Sequence, residues 1–291
     1  MNITASMVKD LREKTGAGMM DCKKALVECD GDMDKAIDYL REKGISKAAK
    51  KAERIAAEGL ANIYVNGNEA VVLELNSETD FVAKNAEFKE LLDKIGNAIL
   101  ESDVTDLESA LNVKVGNDTV NDLIVNATAK IGEKISLRRF EKVSKTDKEV
   151  FGSYLHMGGK IASLTVVSGS DEVVAKDVAM QAAAMRPLYT TIDSVPAEDL
   201  EHEKSVVREQ VINEGKKPEF ADKIVEGRIR KFYEETVLEE QAFIKDGELT
   251  VKAYLEKNNS KLVRLVKYEV GEGMEKRNDD FAAEVAAQAN A

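Results

Sequence analysis

Tryptophan is absent from this chain of 291 residues and aromatics make up 5% of it, so any core it builds has to be aliphatic. Cysteine is scarce. Cys22 and Cys29 lie seven apart in one predicted helix, with no further cysteine and no histidine nearby. They form neither a zinc site nor a disulfide framework and read as reduced, structural thiols. Histidine is as rare. His202 falls in a charged, solvated segment, and His156 ends a predicted strand without a cysteine, serine or acid at a recognisable motif spacing, so it is no catalytic base. There is no P-loop, no dinucleotide fingerprint and no zinc pattern, so no cofactor is expected and the chain does not itself look like a nucleotide hydrolase.

No apolar stretch is long enough to cross a bilayer. Met1-Asn2-Ile3-Thr4 lacks the basic start and apolar run of a signal peptide, and the expectation is a cytoplasmic protein with no membrane partner. Positive charge is in deficit: 42 basic against 54 acidic residues give a net charge of −12. A field of that sign repels phosphate backbones, so no direct nucleic-acid contact is expected. The basic run Lys47, Lys50, Lys51 and Arg54 reads as a solvated helix face and linker.

What the chain does have is a strand-to-helix corner. The apolar run Ala70-Val71-Val72-Leu73 reads as a buried strand, and Phe88, Leu91, Leu92, Ile95 and Ile99 keep helical spacing after it. Between them, Ser77-Glu78-Thr79-Asp80 fits a capping box. Phe81 stands seven residues before Phe88, so spacing alone leaves it either in the core or free to meet a partner.

The first 55 residues predict three short helices. Thr4 caps the first, which carries Val8 and Leu11 and breaks at Gly16-Ala17-Gly18. The second holds Met19, Met20, Ala25 and Leu26. Asp30-Gly31-Asp32 turns into a third with Ala36, Ile37 and Leu40, ending at Gly44. Met19 and Met20 are either core fillers or, in an exposed loop, adaptable contacts for a partner.

The remainder reads as a duplication. Asn66-Gly67 marks a hairpin and Gly158-Gly159 marks another 92 residues on. The same offset lays Val82-Ala83-Lys84 on Val174-Ala175-Lys176 without a gap. Returning strands at 135–141 and 263–269 close the two copies, and their larger offset leaves an insertion of 36 residues in the second. That insertion is an antiparallel helical hairpin, with Leu200, Val207 and Val211 on one helix, Ile224, Ile229 and Phe232 on the other, and Pro218 opening the second. Where the first copy has Thr79-Asp80-Phe81-Val82, the second has Asp171-Glu172-Val173-Val174, without an aromatic.

Thr79-Asp80-Phe81-Val82 within Asn76-Ser77-Glu78-Thr79-Asp80-Phe81-Val82-Ala83-Lys84 resembles the signature of the bacterial translation elongation factor Ts family. Residues 3–51, 130–139, Val225-Glu226-Gly227-Arg228, Tyr268-Glu269-Val270-Gly271-Glu272-Gly273 and Asp280-Phe281-Ala282-Ala283-Glu284-Val285-Ala286 are similar to it as well. The resemblance implies an α+β protein. It would have an N-terminal three-helix bundle of ubiquitin-associated type (1–55) and a duplicated α/β core (56–143 and 144–270). A helical-hairpin, coiled-coil arm at about 195–240 and a C-terminal module with a helix (271–291) would complete it. It also implies a non-enzymatic guanine-nucleotide exchange factor that binds the GDP form of elongation factor Tu, displaces its Mg2+ and promotes exchange for GTP. Thr79, Asp80, Phe81 and Val82 would enter the partner, with Arg12, Met19, Met20 and His156 as further contacts. A homodimer through the arm stays open. The competing reading is a non-enzymatic adaptor whose N-terminal helices recognise a small folded protein. An enzyme using Asp80 with His156 has no motif behind it.

Overall fold

A computed structural model describes residues 3–15, 17–169, 171–215 and 218–275. The chain mixes helices with small sheets, and its described residues divide into two compact units: those within 3–66, 71–142 and 268–275 form the first, and those within 67–70 and 143–267 the second. Gly16, Lys216, Lys217 and the helix expected at 280–286 lie outside the described residues.

In the first unit, helices α1 (Ala5–Thr15), α2 (Met19–Glu28) and α3 (Met33–Ala49) share a small core of Val8, Leu11, Cys22, Ala25, Leu26 and Ala36. Thr4 Oγ1 accepts from Met7 N–H, and Asp32 accepts from two amides at the start of α3. Cys22 is buried, which pushes its thiol up, and both cysteines are free. Helix α3 does not stop at Gly44. It continues a further turn because Gly44 lies against Ala129 of a later helix, and that packing offsets the roughly 1 kcal/mol that glycine costs a helix interior.

Strands β1 (Glu58–Asn66) and β2 (Glu69–Ser77) form a hairpin whose turn has Gly67 at φ +58°, a conformation suited to glycine. Strand β2 sends Val71, Leu73 and Leu75 into the aliphatic core and keeps Glu74 and Asn76 buried as well. Helices α4 (Asp80–Lys84), α5 (Ala86–Leu100) and α6 (Leu107–Leu111) follow. A small ribbon of β3 (Lys114–Val115) and β4 (Asp118–Thr119) leads to α7 (Val120–Ile131), then β5 (Ser136–Ser144), which completes the order β1-β2-β5.

The second unit repeats the order. Strands β6 (Glu149–His156) and β7 (Ile161–Ser168) pair antiparallel from Glu149↔Ser168 to His156↔Ile161, through a four-residue turn rather than a two-residue one. Helix α8 (Glu172–Met185) lies so close to β6 that a Cβ on Gly152 would fall 2.1 Å from the Ala175 backbone. Helices α9 (Ala197–Asn213) and α10 (Pro218–Thr236) pack through Val207, Val211, Val225 and Ile229. Val225 takes the inner place expected of Phe232, whose ring instead lies tilted against those of Tyr189 and Tyr233. Strands β8 (Ala242–Phe243) and β9 (Asp246–Thr250), helix α11 (Val251–Lys257) and β10 (Lys261–Glu269) finish the unit, with order β10-β7-β6. In both units the second hairpin strand is central. The 92-residue offset relates the first residues of β2 and β7, and the caps Thr79 and Asp171.

Candidate functional site: the corner between β2 and α4

The corner begins as a buried strand and ends as an exposed turn of helix. Ser77 is still in β2, and its hydroxyl donates to Thr79 O at 2.9 Å. It is not the cap expected from the sequence. Thr79 is, with an extended backbone and Oγ1 accepting from Val82 N–H. Nor does Asp80 close a capping box. The carboxylate that meets Thr79 comes from Glu133, 54 residues away: Oε2 accepts from Thr79 N–H at 3.0 Å and Oε1 from Thr79 Oγ1 at 2.7 Å. A local acid at the helix's third position would serve the cap amide. Here a distant one does, which leaves Asp80 to pair with Lys84 Nζ at 2.5 Å.

Glu78 completes a reciprocal clamp. Its Oε1 accepts from Lys134 N–H at 2.6 Å, and Arg54 donates to both of its oxygens at 3.3 Å. Lys134 Nζ donates in turn to Arg54 O at 3.0 Å. Gly132, at φ +88°, ends α7 in the left-handed conformation and turns Glu133 and Lys134 toward the corner. Lys51 Nζ donates to Gly132 O at 2.6 Å, so the segment leaving α3 is tied to the same loop.

Helix α4 is only five residues long. Asn85 breaks the helix with ψ 140° and starts α5 by accepting from Glu87 N–H. The second copy has Asp177 at the matching place and continues its helix through it. The break makes α4 a separate knob. Ala83 is buried in it and Val82 is half-buried against the core, while Phe81 is 81% exposed with Lys84 Nζ 6.0 Å from its ring. At the matching place Val173 is exposed too, but offers far less surface.

Of the other residues singled out, Met19 and Met20 are 57% and 75% exposed. They begin α2 rather than lying in a loop, after a Gly18 cap that contributes no side-chain bond. Arg12 is exposed on α1. His156 is half-buried at the end of β6, in the second unit, with its ring 6.1 Å from that of Tyr154. Thr79, Asp80, Phe81 and Val82 are thus brought together with Arg54, Glu78, Glu133 and Lys134. Nothing in the spacing of the sequence announced Glu133, because its partner is contributed by the fold.

A second cluster on β2 was equally invisible. Glu74 has no exposed surface and accepts from Arg138 at 3.0 Å, Arg139 at 2.7 Å, Asn76 at 3.0 Å and Gly271 N–H at 2.9 Å. Burial pushes its carboxyl up, but these bonds outweigh burial and hold it below the usual carboxylate range. Arg139 also lies 4.2 Å over the Tyr268 ring.

Among the described residues no group of histidine, cysteine and carboxylate side chains could hold a metal, and no helix is long and apolar enough to cross a membrane. The sequence model of a family described as Elongation factor TS matches residues 78–272, which takes in Glu78, the α4 knob and Glu133. Two curated relatives, each named Elongation factor Ts and from two strains of Limosilactobacillus reuteri, DSM 20016 and JCM 1112, are 55% identical over 288 residues, covering 99% of this chain and 99% of theirs. A family model over residues 78–272 and relatives 55% identical over 99% of the sequence leave one conclusion: the chain belongs to the elongation factor Ts family.

Proposed function

We infer from this membership that the chain is a translation elongation factor, the guanine-nucleotide exchange factor of elongation factor Tu. It makes and breaks no covalent bond; it changes how tightly a partner holds a nucleotide. The reading of the corner goes further. Phe81 and Asp80 would enter the partner beside its nucleotide-bound Mg2+ and perturb the metal site and the helices around it. Thr79 and Val82 fix the knob from behind. Arg12, Met19, Met20 and His156 add contacts, α1–α3 act as a ubiquitin-associated-type bundle, and α9 with α10 form a coiled-coil arm.

One observation carries this reading: a phenylalanine that is 81% exposed on a helix clamped from several sides. A hydrophobic side chain left in water on rigid backbone has its surface ready to bury elsewhere. Fully burying a phenylalanine side chain is worth about 1.5–3 kcal/mol. A thousandfold faster GDP release needs about 4 kcal/mol. The ring alone falls short of that, so the rest of the interface has to supply the difference. The test is GDP release from elongation factor Tu at saturating factor. Phe81→Ala and Asp80→Ala should each slow it, and unchanged release in the double variant would return the corner to a structural role.

A further inference from the structure

A helix of five residues cannot hold its own direction, since its few internal hydrogen bonds do not repay nucleation. The direction of α4, and with it the place of Phe81, has to come from outside. Its C-terminal end is anchored by the burial of Ala83 and the partial burial of Val82. Its N-terminal end is anchored by the two-point bond from Glu133 to the amide and hydroxyl of Thr79. A carboxylate that accepts at both oxygens fixes orientation as well as distance. Glu133 is itself steered by the left-handed turn at Gly132, by Lys51 on Gly132 O and by the neighbouring Lys134 amide on Glu78.

We propose that Glu133 is a positioning residue for nucleotide exchange: it sets the angle at which α4 presents Phe81 and Asp80, without touching the partner nucleotide or its metal. The proposal rests on the reading of the corner given above. A knob fixed in advance holds its side chains where the loosening of GDP needs them, and small misplacements of a working group are costly. Losing Glu133 therefore acts on the step in which the seated factor loosens GDP more than on the formation of the complex.

The experiment uses the full chain in four forms: wild type, Glu133→Ala, Phe81→Ala and the double variant. Release of fluorescent GDP from elongation factor Tu is followed across factor concentrations, and thermal unfolding of each free factor is recorded. Glu133→Ala should lower the saturating rate about tenfold, as expected for a lost charge-assisted two-point bond, and move the half-saturating concentration less than about threefold. Glu133→Gln, which keeps one acceptor oxygen, should fall between. Because Glu133 acts through the corner, its loss should slow the Phe81→Ala factor by less than it slows the wild type, the remainder acting through Asp80. An unchanged saturating rate in Glu133→Ala, or losses that add in the double variant, would overturn the proposal. If Glu133→Ala does not fold at the assay temperature, Glu133→Gln takes its place, alone and combined with Phe81→Ala, and an unchanged rate or additive losses there overturn the proposal equally. Slower release by Phe81→Ala with full release by Glu133→Ala sinks this proposal alone. Full release by Phe81→Ala sinks the reading of the corner as well.

Discussion

Replacing Phe88 by alanine should cost about 3–5 kcal/mol of stability, because its ring has no exposed surface and is the largest side chain in the aliphatic core of the first unit. The same change at Phe81 should leave the unfolding midpoint of the free factor nearly unmoved and show itself only in GDP release. The matched pair, read by thermal unfolding, separates a core aromatic from an inserting one. Glu74 gives a prediction of a different kind. Glu74→Gln removes a buried charge from between Arg138 and Arg139 and should destabilise the chain by about 3–5 kcal/mol at neutral pH. The sign with pH follows from the depressed carboxyl. Its contribution is in place above the unfolded value of about 4.5 and is lost as pH falls through the lower folded value. Urea unfolding between pH 7 and acid should show that loss in the wild type and not in the variant.

Two glycines inside helices make opposite predictions for their elements. A Cβ on Gly44 would sit 3.6 Å from the Ala129 Cβ, an ordinary contact, so Gly44→Ala should stabilise α3 by up to about 1 kcal/mol. A Cβ on Gly96 would fall 2.0 Å from the Tyr64 ring, so Gly96→Ala should force α5 off β1 and lower the unfolding midpoint. Tyr64 cannot swing aside freely, since its hydroxyl donates to Asp93 at 2.7 Å. The elements themselves were largely legible in the sequence. Periodicity places β2, α5 and α9, and Asn66-Gly67 and Gly158-Gly159 mark the two hairpin turns. What periodicity missed lies where a distant residue decides. Helix α3 outruns Gly44 because α7 supports it, Thr79 is capped by Glu133 rather than by a neighbour, and Val225 replaces Phe232 inside the arm. The break at Asn85 was readable in principle as a capping residue followed by Glu87, but it was hidden by the helical spacing that continues across it.

At the scale of the whole molecule, exchange is a linkage between two ligands of one partner. If the factor loosens GDP by a given ratio, GDP must weaken factor binding by the same ratio, and calorimetry of complex formation with and without GDP should return equal values. The buried carboxylate on β2 has a consequence for how the protein is made. Gly271, the donor that completes the set around Glu74, is 197 residues downstream, and a side chain there would collide with Ala57 O. A ribosome adding about 5–20 residues per second makes β2 wait roughly 10–40 s for that donor. Through this interval Glu74 has to stay hydrated, so the first unit cannot seal behind the ribosome. Residues 143–267, which build most of the second unit, emerge meanwhile and are free to close first. Nascent chains cut after Lys267 and followed by a linker long enough to clear the exit tunnel should therefore carry a protease-resistant second unit beside a β2 that is still cut, and extending the native sequence through Gly271 should make β2 resistant.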